Sequence, residues 1–288
     1  MRNVTRDSIT AAVTASFGGA KDERTRLLVE KLVAHLHAYA REVKLTPAEW
    51  KAAIDFLYAA GKISDERRNE FILASDVLGL SALVDLINNP AGATESSELG
   101  PFHSEGSPLL PVGASLIGDN PGDRVLVRGR VLDTGGRPLP GALLDFWQAA
   151  ANGLYPAQDA AQHPHNLRFR MHADGEGRYA FCTIKPAPYT VPYDGPVGDL
   201  LRAGGREAWR PAHFHFIVTA DGHVPVVTEL FPAGDPYVEK DAVFGVRESL
   251  VFRYVPQDSA AAAAPWKIQA PFFTVDFDFR LRAGLRAK

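Results

Sequence analysis

The stretch Phe273-Thr274-Val275-Asp276-Phe277-Asp278-Phe279-Arg280-Leu281 sets Val275, Phe277 and Phe279 in alternation with Thr274, Asp276 and Asp278. Successive side chains of a strand point to opposite faces, so the pattern predicts a strand with one buried and one wet face. Working back along the chain, Val125 to Leu132, Ala142 to Gln148, Tyr179 to Ile184, His213 to Thr219, Val224 to Phe231 and Ser249 to Tyr254 are further runs of strand length. They are rich in β-branched and aromatic residues and bounded by Gly and Pro. Asp133-Thr134-Gly135-Gly136 supplies turn chemistry between the first two, which predicts a hairpin. No long helical pattern separates these runs, so the sheets are expected to be mainly antiparallel and to form a β-sandwich. The segment Ala260 to Ala264 is expected to be a loop.

Before Pro90 the period changes. Leu28, Leu32, Leu36 and Val43, with Val29 and Val33 alongside, make one apolar stripe on an otherwise charged segment, which predicts a helix. Thr46-Pro47-Ala48-Glu49 combines a capping residue, Pro at the first helical position and Glu three residues after the cap. It predicts a second helix ending near Gly61. A third is expected after Ser64 and a fourth from Ser81 to Asn89, stopped by Pro90, with an early one from about Ile9 to Phe17. The expected class is α+β, with a helical region over residues 1–95 and the mainly antiparallel sandwich over 96–288.

The chain has 288 residues, 46% of them apolar, enough for a proper core. Lys plus Arg (31) nearly balance Asp plus Glu (34), and a net charge of -3 gives no electrostatic reason to expect nucleic acid or an anionic membrane as partner. The expected partner is a small molecule. The single cysteine, Cys182, excludes an internal disulfide and a Cys-rich metal framework, so any metal must be held by His, carboxylate or phenolate. No stretch resembles a signal peptide or is long and apolar enough to span a bilayer, and the expected location is the cytoplasm.

Arg210-Pro211-Ala212-His213-Phe214-His215-Phe216-Ile217-Val218 is the sharpest chemical feature. Period two puts both imidazoles on one face and Phe214 and Phe216 on the other, and such a pair can grip one metal or simply hydrogen-bond at a sheet surface. A cupin would need a carboxylate shortly after the pair, where Ile217-Val218-Thr219-Ala220 has none. A barrel hydrolase would need β/α units downstream, and a His-Glu-x-x-His helix is absent. Tyr155, in Asn152-Gly153-Leu154-Tyr155-Pro156, and Tyr189, in Pro186-Ala187-Pro188-Tyr189-Thr190, lie in loops upstream. A hard, highly charged cation can stabilise their phenolates at neutral pH. Spacing alone does not nominate them over ordinary packing tyrosines.

A wider set of motifs does. Gly153-Leu154-Tyr155, Asn166-Leu167-Arg168, Asp174 to Tyr179, Asp194-Gly195-Pro196 and Arg210 to Phe216, with Leu99-Gly100-Pro101-Phe102 before them, resemble the intradiol ring-cleavage dioxygenases in order and along most of the chain. The resemblance implies a non-haem Fe(3+) held by Tyr155, Tyr189, His213 and His215, with Tyr189 the displaceable ligand. It also implies that both atoms of O₂ enter a catecholic ring, which opens between its two hydroxyl-bearing carbons in aromatic degradation. Arg210 is implied as a stabiliser of negative charge on the ring. Leu73, Asp76, Gly100, Pro101, Phe102, Val191, Pro192, Arg210 and Val243 are implied as the substrate pocket.

Within the family, Pro192 to Leu201, Asp241 to Val246 and Ser75-Asp76-Val77-Leu78-Gly79 are most similar to the hydroxyquinol-cleaving members. Catechol- and chlorocatechol-cleaving members are near relatives. That implies hydroxyquinol (1,2,4-trihydroxybenzene) as substrate and 3-hydroxy-cis,cis-muconate, or its tautomer maleylacetate, as product. Asp76 would accept a hydrogen bond from the third hydroxyl, or else cap a helix end. Two residues depart from the family pattern: His103, where an aromatic such as tyrosine is usual, and Glu229, where a neutral amide or imidazole is expected. Glu229 would then lie near the metal or face solvent. The front helices are implied to pair two copies into a homodimer, in some relatives around a bound lipid. A non-catalytic β-sandwich binding module, and an extradiol enzyme using Fe²⁺ with two histidines and one carboxylate, are the competing readings.

Overall fold

The computed structural model describes residues 4–284 apart from positions 67 and 90. The chain forms two compact units that divide between Ala59 and Ala60. The helices begin with α1 (Ile9–Ser16), α2 (Glu23–Glu42), α3 (Pro47–Ile63), α4 (Glu70–Val77) and α5 (Leu80–Asn88). Their starts follow the local chemistry. The Thr46 amide and hydroxyl both donate to Glu49 Oε2 at 2.8 Å, closing the expected capping box. The third expected helix starts at Glu70 rather than directly after Ser64, because Asn69 Oδ1 accepts from the amides of Phe71 and Ile72. The stop expected from Pro90 lies outside the described residues.

The strands are β1 (Ala114–Ser115), β2 (Arg124–Asp133), β3 (Leu143–Trp147), β4 (Arg168–His172), β5 (Arg178–Ile184), β6 (Tyr189–Thr190) and β7 (Trp209–Arg210). They continue as β8 (Phe214–Thr219), β9 (Val226–Pro232), β10 (Val251–Phe252), β11 (Val255–Gln257), β12 (Phe272–Asp276) and β13 (Phe279–Leu281). Helix α6 (Pro196–Ala203) follows β6, and α7 (Ala260–Ala263) precedes β12. The alanine segment expected as a loop is therefore a short helix, started by Ser259 Oγ accepting from the Ala262 amide.

One sheet runs β1-β5-β2-β12-β11 with β13 also on β2, and the second runs β10-β9-β8-β3-β4. The second sheet is antiparallel except for the β10–β9 pair, whereas the first is mixed, since β12 and β13 both run parallel to β2. The hairpin expected from β2 to β3 does not form. The turn at Asp133 bends the chain back only to a Leu132–Pro138 bridge, and the chain then passes to the other sheet, where β3 pairs with β4 and β8. The opening stretch splits into β12 and β13 because Phe277 closes on Gly129 of β2. A Cβ there would lie 1.7 Å from the Phe277 carbonyl oxygen, which also accepts the Tyr179 hydroxyl at 2.7 Å.

The core fills the space between the sheets. Phe146 of β3 meets Phe181 of β5 at 4.6 Å between ring centroids, and Phe216 of β8 meets Phe279 of β13 at 4.8 Å. All four are essentially inaccessible, each contributing about 1.5–3 kcal/mol of burial. This packing uses the inner face of β8 and leaves its outer face for chemistry.

Candidate metal centre

Phe214 and Phe216 point into the core, so His215 faces outward, with His213 just ahead of β8 on the same side. Strand register then fixes its neighbours: Trp147 of β3 and Glu229 of β9 stand on either side of His215. The Trp147 ring stacks on the His215 imidazole, centroids 4.6 Å apart and 8° from parallel. His213 Nδ1 lies 2.7 Å from the Pro211 carbonyl oxygen, which makes Nδ1 the protonated nitrogen and leaves a lone pair on Nε2. That Nε2 is 3.1 Å from His215 Nε2. Both imidazoles are buried and held below the ordinary histidine range, by burial first and then by the Arg210 charge on His213 and the His213 charge on His215. Two neutral nitrogen donors thus converge on one point.

The tyrosines arrive on loops. Tyr189 opens β6 directly across from Arg210 of β7, and its Oη lies 3.3 Å from His213 Nε2. Tyr155 follows β3 through a turn in which the Ala150 amide donates to the Leu154 carbonyl. Its ring meets Tyr189 edge-on at 5.5 Å. Its hydroxyl is buried and has no hydrogen-bond partner. Burial pushes both phenols up, Tyr155 well above its ordinary value. A cation bound by the two phenols and the two facing imine nitrogens would satisfy all of these atoms. The residues present fit a metal.

Glu229 also lies within reach of both histidines, 3.5 Å from His213 Nε2 and 3.4 Å from His215 Nδ1 through Oε1. The solvent-facing alternative for Glu229 is excluded, since the residue is fully buried. Its oxygens are already engaged. Arg210 Nη1 donates to Oε1 at 2.7 Å and Nη2 to Oε2 at 2.9 Å, and Ser97 Oγ donates to Oε2 at 2.7 Å. The same guanidinium donates from Nε to Asp241 Oδ1 at 3.0 Å. Arg210 is therefore the centre of a buried ion triad, because Glu229 reaches it from the register position opposite His215 and Asp241 from the following loop.

The expected pocket residues are distributed as follows. Phe102 stacks on Tyr155 at 4.4 Å, and a Cβ on Gly100 would lie 3.2 Å from His215 Cε1, so this segment lines the centre. Val191 is buried and Pro192 half-buried, immediately after β6, and buried Val243 donates its amide to Asp241. Asp76 is at the end of α4, where its Oδ1 accepts from Ser81 Oγ rather than capping a backbone amide. Burial pushes Asp76 up. Leu73 lies half-buried one turn earlier, and Pro101 is exposed. His103 contacts Asp145 at 3.1 Å and the edge of Trp147, so it buttresses the far side of His215. Trp147, Ser97 and the clamping role of Asp241 were not read from the sequence. The register of β3 on β8 would have found the first, and nothing local marks the second.

A sandwich carrying two imidazoles and two phenols at one point, with apolar and aromatic walls, defines an intradiol ring-cleaving dioxygenase. Comparison with known proteins agrees: a family model described as dioxygenase matches residues 100–283, and one described as catechol dioxygenase N terminus matches residues 22–95. The chain belongs to the intradiol dioxygenase family and is a ring-cleaving enzyme. It is similar to 6-chlorohydroxyquinol 1,2-dioxygenase of Cupriavidus pinatubonensis, 43% identical over 99% of this chain and 100% of that one. It is 44% identical to hydroxyquinol 1,2-dioxygenase of a Rhizobium species over 93% of this chain and 92% of that one. A solved hydroxyquinol 1,2-dioxygenase from Pseudomonas putida superimposes with a TM-score of 0.90 at 41% identity, covering 96% of this chain and 98% of that chain. No helix among the described residues is long and apolar enough to cross a membrane.

Proposed function

We propose that this enzyme opens hydroxyquinol between its adjacent hydroxyl-bearing carbons, yielding 3-hydroxy-cis,cis-muconate or maleylacetate, at Fe(3+) held by Tyr155, Tyr189, His213 and His215. The observation that carries the ligand set is the orphaned Tyr155 hydroxyl beside the facing Nε2 atoms of the histidines. Two phenols and two imidazoles suit a hard trivalent ion. The extradiol set of two histidines and one carboxylate is disfavoured because Arg210 and Ser97 occupy Glu229. When bound, the ion withdraws electron density from the chelated diol and so makes the ring reactive toward O₂.

The chain's own residues do the rest. Tyr189, 8% exposed against 0% for Tyr155, is the tyrosine with more room to leave, and, held as a phenolate by the bound cation, its Oη would take a proton from the incoming diol and become a neutral phenol. Arg210, across from Tyr189, presents a guanidinium held rigid by Glu229 and Asp241 and thereby orients negative charge at the ring. Phe102, Val191, Pro192 and Val243 form walls for an aromatic substrate, with Leu73, Gly100 and Pro101 completing the lining. Asp76 accepts from the third hydroxyl. The names of the relatives support hydroxyquinol over catechol or chlorocatechols. The test is kcat/KM for the three rings with metal analysis and a visible spectrum. A catechol preference overturns the substrate, and a colourless, iron-free folded protein overturns the metal.

We assign residues 1–95 to pairing two copies, with 96–288 as the catalytic part. Leu28, Leu32, Leu36 and Val43 of α2 and the residue after it are about half exposed along one stripe, which a second copy would cover. Sedimentation showing monomer at micromolar concentration would overturn the dimer, and lipid extraction would reveal a lipid on the same stripe. A cytoplasmic location fits the lone cysteine, buried and pushed up to about 11.

A further inference from the structure

The two histidines of the centre are held in different ways. The plane of His213 is fixed by the hydrogen bond that its Nδ1 donates to the Pro211 carbonyl at 2.7 Å. A ligating imidazole is usually oriented like this, through its second nitrogen. His215 is not. Its Nδ1 is shut off from solvent and makes no hydrogen bond, because Glu229 Oε1, 3.4 Å away, accepts instead from Arg210 at 2.7 Å. The torsion of an imidazole about Cβ–Cγ is broad by itself, so packing has to choose the angle of this ring. Trp147, brought beside His215 by the register of β3 on β8, lies 8° from parallel to it with centroids 4.6 Å apart. Gly100 limits the ring at its other end, since a Cβ there would come within 3.2 Å of Cε1.

The indole is in turn held by shape and not by a polar contact. Its Nε1 is buried without a hydrogen-bond partner, a cost that a phenyl ring at this position would avoid. What the indole supplies beyond a phenyl ring is a wider flat face. His103 meets it at 4.8 Å and 65°, and His103 Nε2 is tied at 3.1 Å to Asp145 Oδ2, two residues before Trp147 on the same face of β3. We propose that Trp147 is the positioning residue for His215: its stacked face sets the plane of the imidazole and with it the direction of the Nε2 lone pair, while His103 and Asp145 brace the indole. That lone pair lies in the plane of the ring, so a turn of the ring swings it away from the point it shares with His213 Nε2, 3.1 Å off. The inference rests on the reading of His215 as a metal ligand and adds what aims it.

The test compares wild type with Trp147→Phe, Trp147→Leu and His103→Ala, each loaded with ferric iron. Two signals are read without turnover: the rhombicity of the high-spin ferric electron paramagnetic resonance, and the half-life of iron loss to a chelator. Leu144→Ala, on the core face of the same strand, is the control for destabilisation alone. Trp147→Leu is expected to shift the resonance and to lose iron at least about tenfold faster, the scale on which residues that orient metal ligands act. Trp147→Phe, which keeps a smaller flat face, should change both signals less. His103→Ala, at a half-buried position, should shift both in the same direction as Trp147→Leu. Leu144→Ala should lower the urea midpoint yet keep the wild-type resonance. Wild-type resonance and iron half-life in Trp147→Leu, or in Trp147→Phe and His103→Ala together should Trp147→Leu not fold, overturn the proposal alone. So does a Leu144→Ala protein with the same changes as the Trp147 variants. A wild type that holds no iron overturns the metal reading with it.

Discussion

Glu229 stands directly across from His215 on the neighbouring strand, yet its carboxylate turns to Arg210 and Ser97. That choice separates holding a metal from framing it. A carboxylate with a vacant lone pair this close to two histidines would compete for the ion. Bound by a guanidinium fork and a hydroxyl, it becomes a fixed negative charge, held below the ordinary carboxylate range against its own burial chiefly by Arg210. Asp241 closes the clamp from the other side, so the centre contains a guanidinium whose orientation is over-determined.

Replacing Glu229 by Ala leaves Arg210 buried with only Asp241. Breaking one side of a buried charge set costs about 3–5 kcal/mol, more than a surface ion pair could. Urea unfolding should show this as a lower midpoint with an unchanged slope. Glu229→Gln keeps the hydroxyl contact and one oxygen for the guanidinium, and should lose less than half as much. Equal losses in the two variants would mean that shape, not charge, holds the clamp.

The division between helical front and sandwich was legible because burial on one face writes a period directly into the residues, 3.6 before Pro90 and two after it. His213 and His215 followed from the same rule. What stayed hidden depends on pairing at long range. The β2 to β3 turn has hairpin chemistry, but Leu144 and Phe146 are needed on the other layer of the core, and no local signal says so. Parallel docking of β12 and β13 on β2 likewise joins residues about 150 positions apart. Tyr155 and Tyr189 needed the family pattern, since a loop tyrosine has no period. The clamp on Arg210 has no local signal, because its partners, Glu229 and Asp241, come from elements that only the fold brings together.

Gly245 is where that clamp has no spare room. A Cβ there would fall 2.8 Å from Arg210 Nη2, 3.0 Å from Glu229 Oε2 and 3.1 Å from Asp241 Oδ2. Gly245→Ala is therefore expected to force the triad apart and to destabilise by about 1–3 kcal/mol, the range for overpacking a filled site. Activity should fall further than stability, because Arg210 lies across from Tyr189. A variant with wild-type kcat/KM would show that the guanidinium position does not matter to turnover.

For the metal, Tyr155→Phe removes one atom from a buried site and adds nothing. Bound iron should weaken by at least about tenfold after dialysis against a chelator, since even supporting residues around metal sites carry that much. The visible tyrosinate band should weaken and move with it. Tyr189→Phe is expected to keep more iron but to slow substrate binding, as the proton-accepting phenolate is gone. If the band is untouched in Tyr155→Phe, the orphaned hydroxyl faces something other than iron.

Stability should also report Glu98, independently of any substrate. Its carboxyl is raised in the folded protein to about 8 from an unfolded value near the ordinary glutamate range of about 4.3. The native state thus binds the proton more tightly. Its contribution to stability is fully present below about 4.3 and is lost as pH rises through about 8. Wild type should therefore lose ground to Glu98→Gln steadily between about pH 5 and pH 8, where the variant has no proton to lose. Urea midpoints measured across that window should converge at the acid end and separate at the alkaline end. Parallel curves would place Glu98 in a wet, unperturbed position.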